Sequence, residues 1–164
     1  MPKYKGAKGF TLIEAIAVLI IIAIAAAVAI SREASSADAE LKSAAEALKG
    51  HIRYAQMRAL NSDAPNCNAS VGMVMSGVSY SMFSITGSDC TGAPISLPGA
   101  ESSGVALPAG MTVAATPATF YFDRWGRPYL DAVCTEPSAT ITIDISSNAG
   151  PAEITITKNT GFVP

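Results

Sequence analysis

The first fourteen residues hold the groups whose types and spacing can do chemistry. Lys3, Lys5 and Lys8 give the opening segment MPKYKGAKG a charge of +3 with no acid. Gly9 stands at the junction with an apolar run, FTLIEAIAVLIIIAIAAAVAI, in which 19 of 21 residues are hydrophobic. A basic start before an apolar run is a targeting pattern, with the positive flank kept in the cytoplasm. A cut between Gly9 and Phe10 would remove the basic leader and create a new α-amino group at Phe10. Glu14 lies inside the apolar run, where an acid costs roughly 2.5–3.5 kcal/mol on insertion scales and marks a function by default. Its partner must be a cation, since an unpaired buried charge is strongly destabilising. The α-amine of Phe10, on the same or a neighbouring chain, lies at the right depth. A secretory signal with a cut near Ala25–Ala29, or a plain signal anchor, are the competing readings.

Other reactive residues are few. The three cysteines are Cys67, Cys90 and Cys134. They suit an oxidising compartment and allow one bridge. A hairpin turning at Ser76-Gly77 would bring Cys67 and Cys90 near each other, so these two are expected to pair. Cys134 is then free or paired elsewhere. His51 adjoins a helical stripe and reads as a surface residue. The turn Asp123-Arg124-Trp125-Gly126-Arg127 is distinctive. Its simplest reading has Trp125 covering the edge of the core among solvated charges. Its functional reading is a contact with a neighbouring subunit, or with nucleic acid through Arg124, Trp125, Arg127 and Lys158. Neither a phosphate-binding loop, nor a paired-histidine metal motif, nor a nucleophile elbow occurs, so neither enzymatic activity nor a cofactor or metal is expected.

These groups must be positioned by a long helix and a β-rich remainder. Neither Pro nor Gly interrupts residues 10–49. The apolar run is about 31 Å long as a helix, enough to span a bilayer core. From residue 31 the pattern becomes amphipathic. Leu41, Ala45, Leu48, Ile52, Ala55 and Ala59 form one stripe, suited to packing on a sheet. Glu33, Glu40, Glu46, Lys49 and Arg53 lie opposite, Asp38 and Lys42 are spaced for an ion pair, and Gly50 is a weak spot. The cluster Asn61-Ser62-Asp63-Ala64-Pro65 should end the helix, which would then run about 76 Å from Phe10. Hairpins are expected around Ser76-Gly77, around the Asp123–Gly126 turn, and between Ile141–Ile145 and Ile154–Ile156. Met111–Ala115 reads as a strand, and residues 86–110 as a long loop.

Lys8-Gly9-Phe10-Thr11-Leu12-Ile13-Glu14 resembles the class III leader junction of the type IV pilin superfamily. The resemblance implies cleavage after Gly9 by prepilin peptidase, N-methylation of Phe10, and a role for Glu14 in setting the register of assembly. The fold it implies is α+β, a long N-terminal helix packed on an antiparallel sheet. The expected divisions are a cleaved leader at 1–9, a transmembrane and filament-core helix at 10–30, an amphipathic helix at 31–62, and a β-rich periplasmic or extracellular domain at 63–164. The helix end Tyr54–Leu60, the Phe122–Gly126 hairpin and the segment Ile154–Gly161 are similar to GspH/FimT-type minor pilins and pseudopilins. Ser31 stands where many major pilins have Pro, which favours a minor subunit. Implied partners are prepilin peptidase, other pilin subunits and an inner-membrane assembly platform. The chain would enter the membrane once, with a cytoplasmic N-terminus, and later join a pilus or a type II secretion pseudopilus. A major pilin and a DNA-binding, competence-type minor pilin are the alternatives.

Composition agrees with this division. The 164 residues are 49% hydrophobic and 15% charged, against about 25% charged in a typical soluble domain. The excess sits largely in residues 10–30. Net charge is −2 and becomes −5 in side chains once the three leader lysines are gone, which opposes general attraction to nucleic acid.

Overall fold

The computed structural model describes residues 10–62, 69–86, 90–100 and 102–164, with the side chains of 29–35 and of Thr86 excepted. It is α+β: one helix followed by antiparallel sheets, consistent with a pilin-like arrangement. Helix α1 spans Leu12–Leu60 and stops at the expected polar cluster. The chain divides into two compact units, Met1–Ser36 and Ala37–Pro164.

In the second unit the expected stripe is the buried face of α1. Leu41, Ala45, Leu48, Ile52, Ala55 and Ala59 are all at most 6% exposed. They pack in one core with strand residues from two sheets. The Asp38–Lys42 pair forms at 2.7 Å on the solvent side.

Among the described residues nine strands follow: β1 (Ala69–Ser76), β2 (Ser79–Thr86), β3 (Thr91–Ile95), β4 (Gly104–Ala106), β5 (Thr112–Thr116), β6 (Thr119–Asp123), β7 (Pro128–Tyr129), β8 (Ile141–Ser147) and β9 (Gly150–Ile156). The larger sheet runs β3-β2-β1-β6-β7, and β4 also pairs with β2. The smaller sheet runs β5-β8-β9. The expected β1–β2 hairpin forms, with Ser76 paired to Ser79 around Gly77-Val78, one residue beyond the Ser76-Gly77 turn signal. The β8–β9 hairpin buries Ile141, Ile143, Ile145, Ile154 and Ile156 on one face, the period-two pattern of a half-buried sheet. Its turn is tighter than the sequence suggests, since Ser147 already pairs with Gly150.

One expectation is corrected. Residues 86–110 are not one long loop, because β3 and β4 form within them on the same edge of β2. Both are edge strands, where Pro and Gly are tolerated, and β3 is exposed over Thr91–Pro94. Such a strand shows no apolar alternation to read.

The first sheet is covered on its second face too. Phe83 lies across Gly72 of β1 and Gly92 of β3, and a Cβ on either glycine would collide with its ring. A small cluster of Ala69 and Ile85 with Phe83, Tyr121, Cys90, Ala132 and Cys134 closes that face.

Candidate assembly site

Gly9 and the residues before it lie outside the described residues, so the expected cut after Gly9 rests on the sequence. Phe10, just after it, is 81% exposed. Thr11 precedes the first helical residue, and its Oγ1 accepts a hydrogen bond from the Glu14 amide at 3.3 Å. Its carbonyl accepts from the amides of Glu14 and Ala15 at 3.1 and 3.2 Å. Thr followed three residues later by Glu is the pattern of a capping box. The acid in the first turn also complements the helix dipole. Glu14 thus helps to start the helix as well as standing as a charge within the apolar run. Thr11 is the residue that sequence reasoning passed over, although the Thr-x-x-Glu spacing was there to find.

The helix beyond it is apolar on every side. Leu12, Ile13, Leu19, Ile21 and Ile24 are each more than 60% exposed. A helix of this kind needs an apolar surrounding to be stable. Among the described residues, no helix is long and apolar enough to cross a membrane. The described side chains of the apolar run stop at Val28, after about 26 Å of helix.

The second candidate region is the turn between β6 and β7. Asp123 is buried, and its Oδ1 accepts from the amides of Trp125 and Arg127 at 2.9 and 2.8 Å. Its Oδ2 accepts from Arg127 Nε at 2.8 Å and lies 2.7 Å from Arg127 Nη2. The hydrogen bond with Asp123 raises the Arg127 pKa above its ordinary value, against the cost of burial. The guanidinium groups of Arg124 and Arg127 lie 4.5 and 4.8 Å from the Trp125 ring centroid.

Trp125 does not cover the core edge as its simplest reading supposed. It is 58% exposed, its amide bonded to Asp123 and its ring in contact with both guanidinium groups. Trp125 and Arg127 line an open groove with Asn159 and Thr160. Arg124, Trp125 and Arg127 are therefore brought together. Lys158 is exposed in the neighbouring Thr157–Gly161 turn and does not line that groove.

Gln56 of α1 ties these turns together. Its Nε2 donates to the Gly126 carbonyl at 3.3 Å and to the Gly161 carbonyl. Both glycines have positive φ, at 74° and 68°. A Cβ on Gly161 would also collide with the Gly126 carbonyl oxygen.

His51 is not a plain surface residue. Its Nδ1 lies 2.8 Å from Tyr80 Oη, and its Nε2 lies 3.1 Å from the Pro98 carbonyl. It links α1 to β2 and to the chain after β3. The helical stripe gave no sign of this, because both partners are distant in sequence. Burial pushes the Tyr80 hydroxyl up to about 12.

Cys134 is free. Burial, and next the negative charge of Asp123, push its thiol up to about 12. The expected Cys67–Cys90 pairing involves Cys67, which lies outside the described residues. Among the described residues, no three His, Cys, Asp or Glu side chains come together as a metal site.

Comparison with known proteins bears on the helix start. Residues 4–30 match the family model of the prokaryotic N-terminal methylation motif. That motif is a type IV prepilin leader, and it supports a pilin-like precursor cut by prepilin peptidase. The match covers most of the basic opening segment and the apolar run but not the β-rich remainder. No curated protein and no solved structure matches the chain.

Proposed function

We propose that this chain is a structural subunit of a type IV pilus or a type II secretion pseudopilus, of the minor pilin or pseudopilin kind. The observation that carries the reading is the methylation motif over residues 4–30, with Gly9, Phe10 and Glu14 in register. The precursor enters the inner membrane once, basic leader in the cytoplasm and globular unit in the periplasm. Prepilin peptidase cuts after Gly9, and the new amine of Phe10 is methylated. The helix then leaves the lipid for the common core of a filament, with help from an assembly platform and other pilin subunits. Both surroundings are apolar, which suits a helix exposed all round. Within that core the Glu14 carboxylate pairs with the Phe10 amine of a neighbour. Mis-registered copies leave the carboxylate buried and unpaired, so the pairing selects one axial register. A Cys67–Cys90 bridge tying the start of β1 to the start of β3 belongs to the same reading, since the unit would fold in an oxidising compartment.

Mass spectrometry of filaments sheared from the native host tests this reading. The expected species starts at a methylated Phe10. Assembled protein with Met1 intact would refute the processing. Glu14→Val should still insert in the membrane but reduce incorporation at least about tenfold. Unchanged incorporation removes the register argument.

A second reading has one specific observation in its favour. The exposed Trp125 between two guanidinium groups could stack on a base and contact phosphates, giving a DNA-binding minor pilin. Against it, Asp123 already neutralises Arg127. DNA binding by the full chain that weakens steeply with salt, and that is lost in Arg124→Glu, would favour this reading. Binding absent at low salt removes it.

A further inference from the structure

The groove beside Trp125 plays no part in the core-helix assembly described above. Trp125 and Arg127 form one side and Asn159 and Thr160 the other, around a volume of about 470 Å³. Both sides are fixed. Gln56 holds the Gly126 and Gly161 carbonyls. The turn bearing Asn159 closes on itself, with the Gly161 amide donating to the Thr157 carbonyl at 2.8 Å and the Thr157 amide to the Phe162 carbonyl at 2.9 Å. Asn159 is exposed with φ at 67°, and among the described residues its side-chain amide enters no hydrogen bond. Thr160 Oγ1 accepts from the Phe162 amide at 3.3 Å, which leaves its own proton to donate.

The charge of this groove is cancelled from within. Asp123 takes Nε and Nη2 of Arg127, which neutralises the guanidinium and leaves Nη1 outside those bonds in a set orientation. Neither Arg124, which lies on the Trp125 ring, nor Lys158 lines the groove. A row of aromatic rings leads away from it. The Arg127 guanidinium lies 4.8 Å from the Trp125 ring centroid and 5.8 Å from that of Tyr129. Tyr129 pairs with Tyr121, Tyr121 with Gly72, and Gly72 with Phe83, across four neighbouring strands. Phe83 lies over Gly72 and meets Tyr121 edge-on at 5.8 Å. The three rings are half-buried, on the face opposite the buried Phe120 and Phe122. From Tyr129 to Phe83 the row spans about 14 Å.

We infer that this groove and the aromatic row beside it bind an uncharged oligosaccharide. The C–H faces of a sugar ring suit the electron-rich faces of aromatic rings. Its hydroxyls suit a neutral amide, a hydroxyl and the outward N–H groups of a guanidinium whose charge is already balanced. A polyanion gains little here, because Arg127 is paired and the side chains beyond Gly9 carry −5. A wholly apolar ligand would cover the Asn159 amide and Arg127 Nη1 and leave them without partners. One sugar sits against Trp125, and those that follow run along Tyr129 and Tyr121 towards Phe83. The sides of the groove are ordered before the ligand arrives, so little freedom is lost on binding. The site belongs to the globular unit and is independent of the filament reading. It competes with DNA for the same turn.

Titration of the full chain, in a detergent without sugar headgroups, tests the site. The probes are the linear hexasaccharides of glucose, mannose, galactose and N-acetylglucosamine, with a single-stranded oligonucleotide as the polyanion. Trp125 is the only tryptophan, so its fluorescence reports on the groove directly. The expected result is a saturable change with at least one hexasaccharide, at a dissociation constant of about 1 mM or below. That constant should move less than about twofold between about 50 and 500 mM salt. Asn159→Gly keeps the left-handed backbone; it should weaken binding at least about fivefold with circular dichroism unchanged. Tyr129→Ser should weaken the hexasaccharide more than the disaccharide of the same sugar. No saturable response to any of the four sugars, or an affinity indifferent to Asn159→Gly, overturns the inference. A response to the oligonucleotide alone, lost steeply with salt, overturns it in favour of DNA. Equal losses for disaccharide and hexasaccharide in Tyr129→Ser overturn the path along the aromatic row.

Discussion

Replacing Asp123 should reveal what holds the β6–β7 turn. Its carboxylate accepts two backbone amides and pairs with Arg127, while the residue itself is only 1% exposed. In Asp123→Ala the Trp125 and Arg127 amides lose their acceptor, at about 1 kcal/mol or more each. The Arg127 side chain, 42% exposed, rehydrates, so its lost ion pair adds about 1 kcal/mol. The total is about 3 kcal/mol. Ala37–Pro164 comprises 128 residues, for which the unfolding entropy is about 0.27 kcal/mol/K. The melting temperature should fall by about 11 °C. Asp123→Asn keeps an oxygen for the two amides, as a neutral and weaker acceptor. It should cost about 1.5 kcal/mol, or about 6 °C. The assay is thermal unfolding of the full chain in detergent, followed by circular dichroism and by fluorescence. The only tryptophan is Trp125, so fluorescence reports on this turn directly. Equal losses for Ala and Asn would show that the amide bonds do not hold the turn. Losses below about 0.5 kcal/mol for both would refute the whole argument.

Gly50 lies within α1, and a Cβ there would meet nothing within 4 Å. Gly50→Ala should therefore stabilise the globular unit by about 0.5–1 kcal/mol, which thermal unfolding checks. Alkaline pH should destabilise it. The folded pKa of Tyr80 and that of Cys134 are each pushed up to about 12, above their ordinary values. Both groups are therefore neutral in the fold where the unfolded chain begins to ionise. Their contribution is complete below pH 9, and it is lost from about pH 9 to 12 for the thiol and from about pH 10 to 12 for the phenol. Denaturation midpoints measured across pH 8–11 should fall in that range. By the same reasoning Cys134 should alkylate slowly at pH 8 in the fold and at least tenfold faster once unfolded; equal rates would contradict the burial argument.

Much of the fold was legible because it rests on local periodicity. The stripe from Leu41 to Ala59 and the alternation from Ile141 to Ile156 each state which face is buried, whatever they pack against. The helix stop near Asn61 and the turns at Gly77 and Gly126 follow from local backbone preferences. β3 was not legible, since an exposed edge strand containing Gly and Pro is held by main-chain bonds to β2, and these leave no mark on side-chain type.

The same physical difference divides the functional residues. The leader junction, Phe10, Glu14 and even the Thr11 cap are neighbours along the chain, so their spacing alone carries their chemistry. The sequence by itself therefore determined a targeting and assembly signal over about the first thirty residues. His51 with Tyr80, Gln56 with Gly126 and Gly161, and Arg53 with Val163 join positions 29 to 110 residues apart. Only the tertiary structure decided that Trp125 stands exposed between two arginines and that His51 joins the helix to β2. Such pairings arise when sheets and helix close on a common core, and no local pattern records which distant residues that closure brings together.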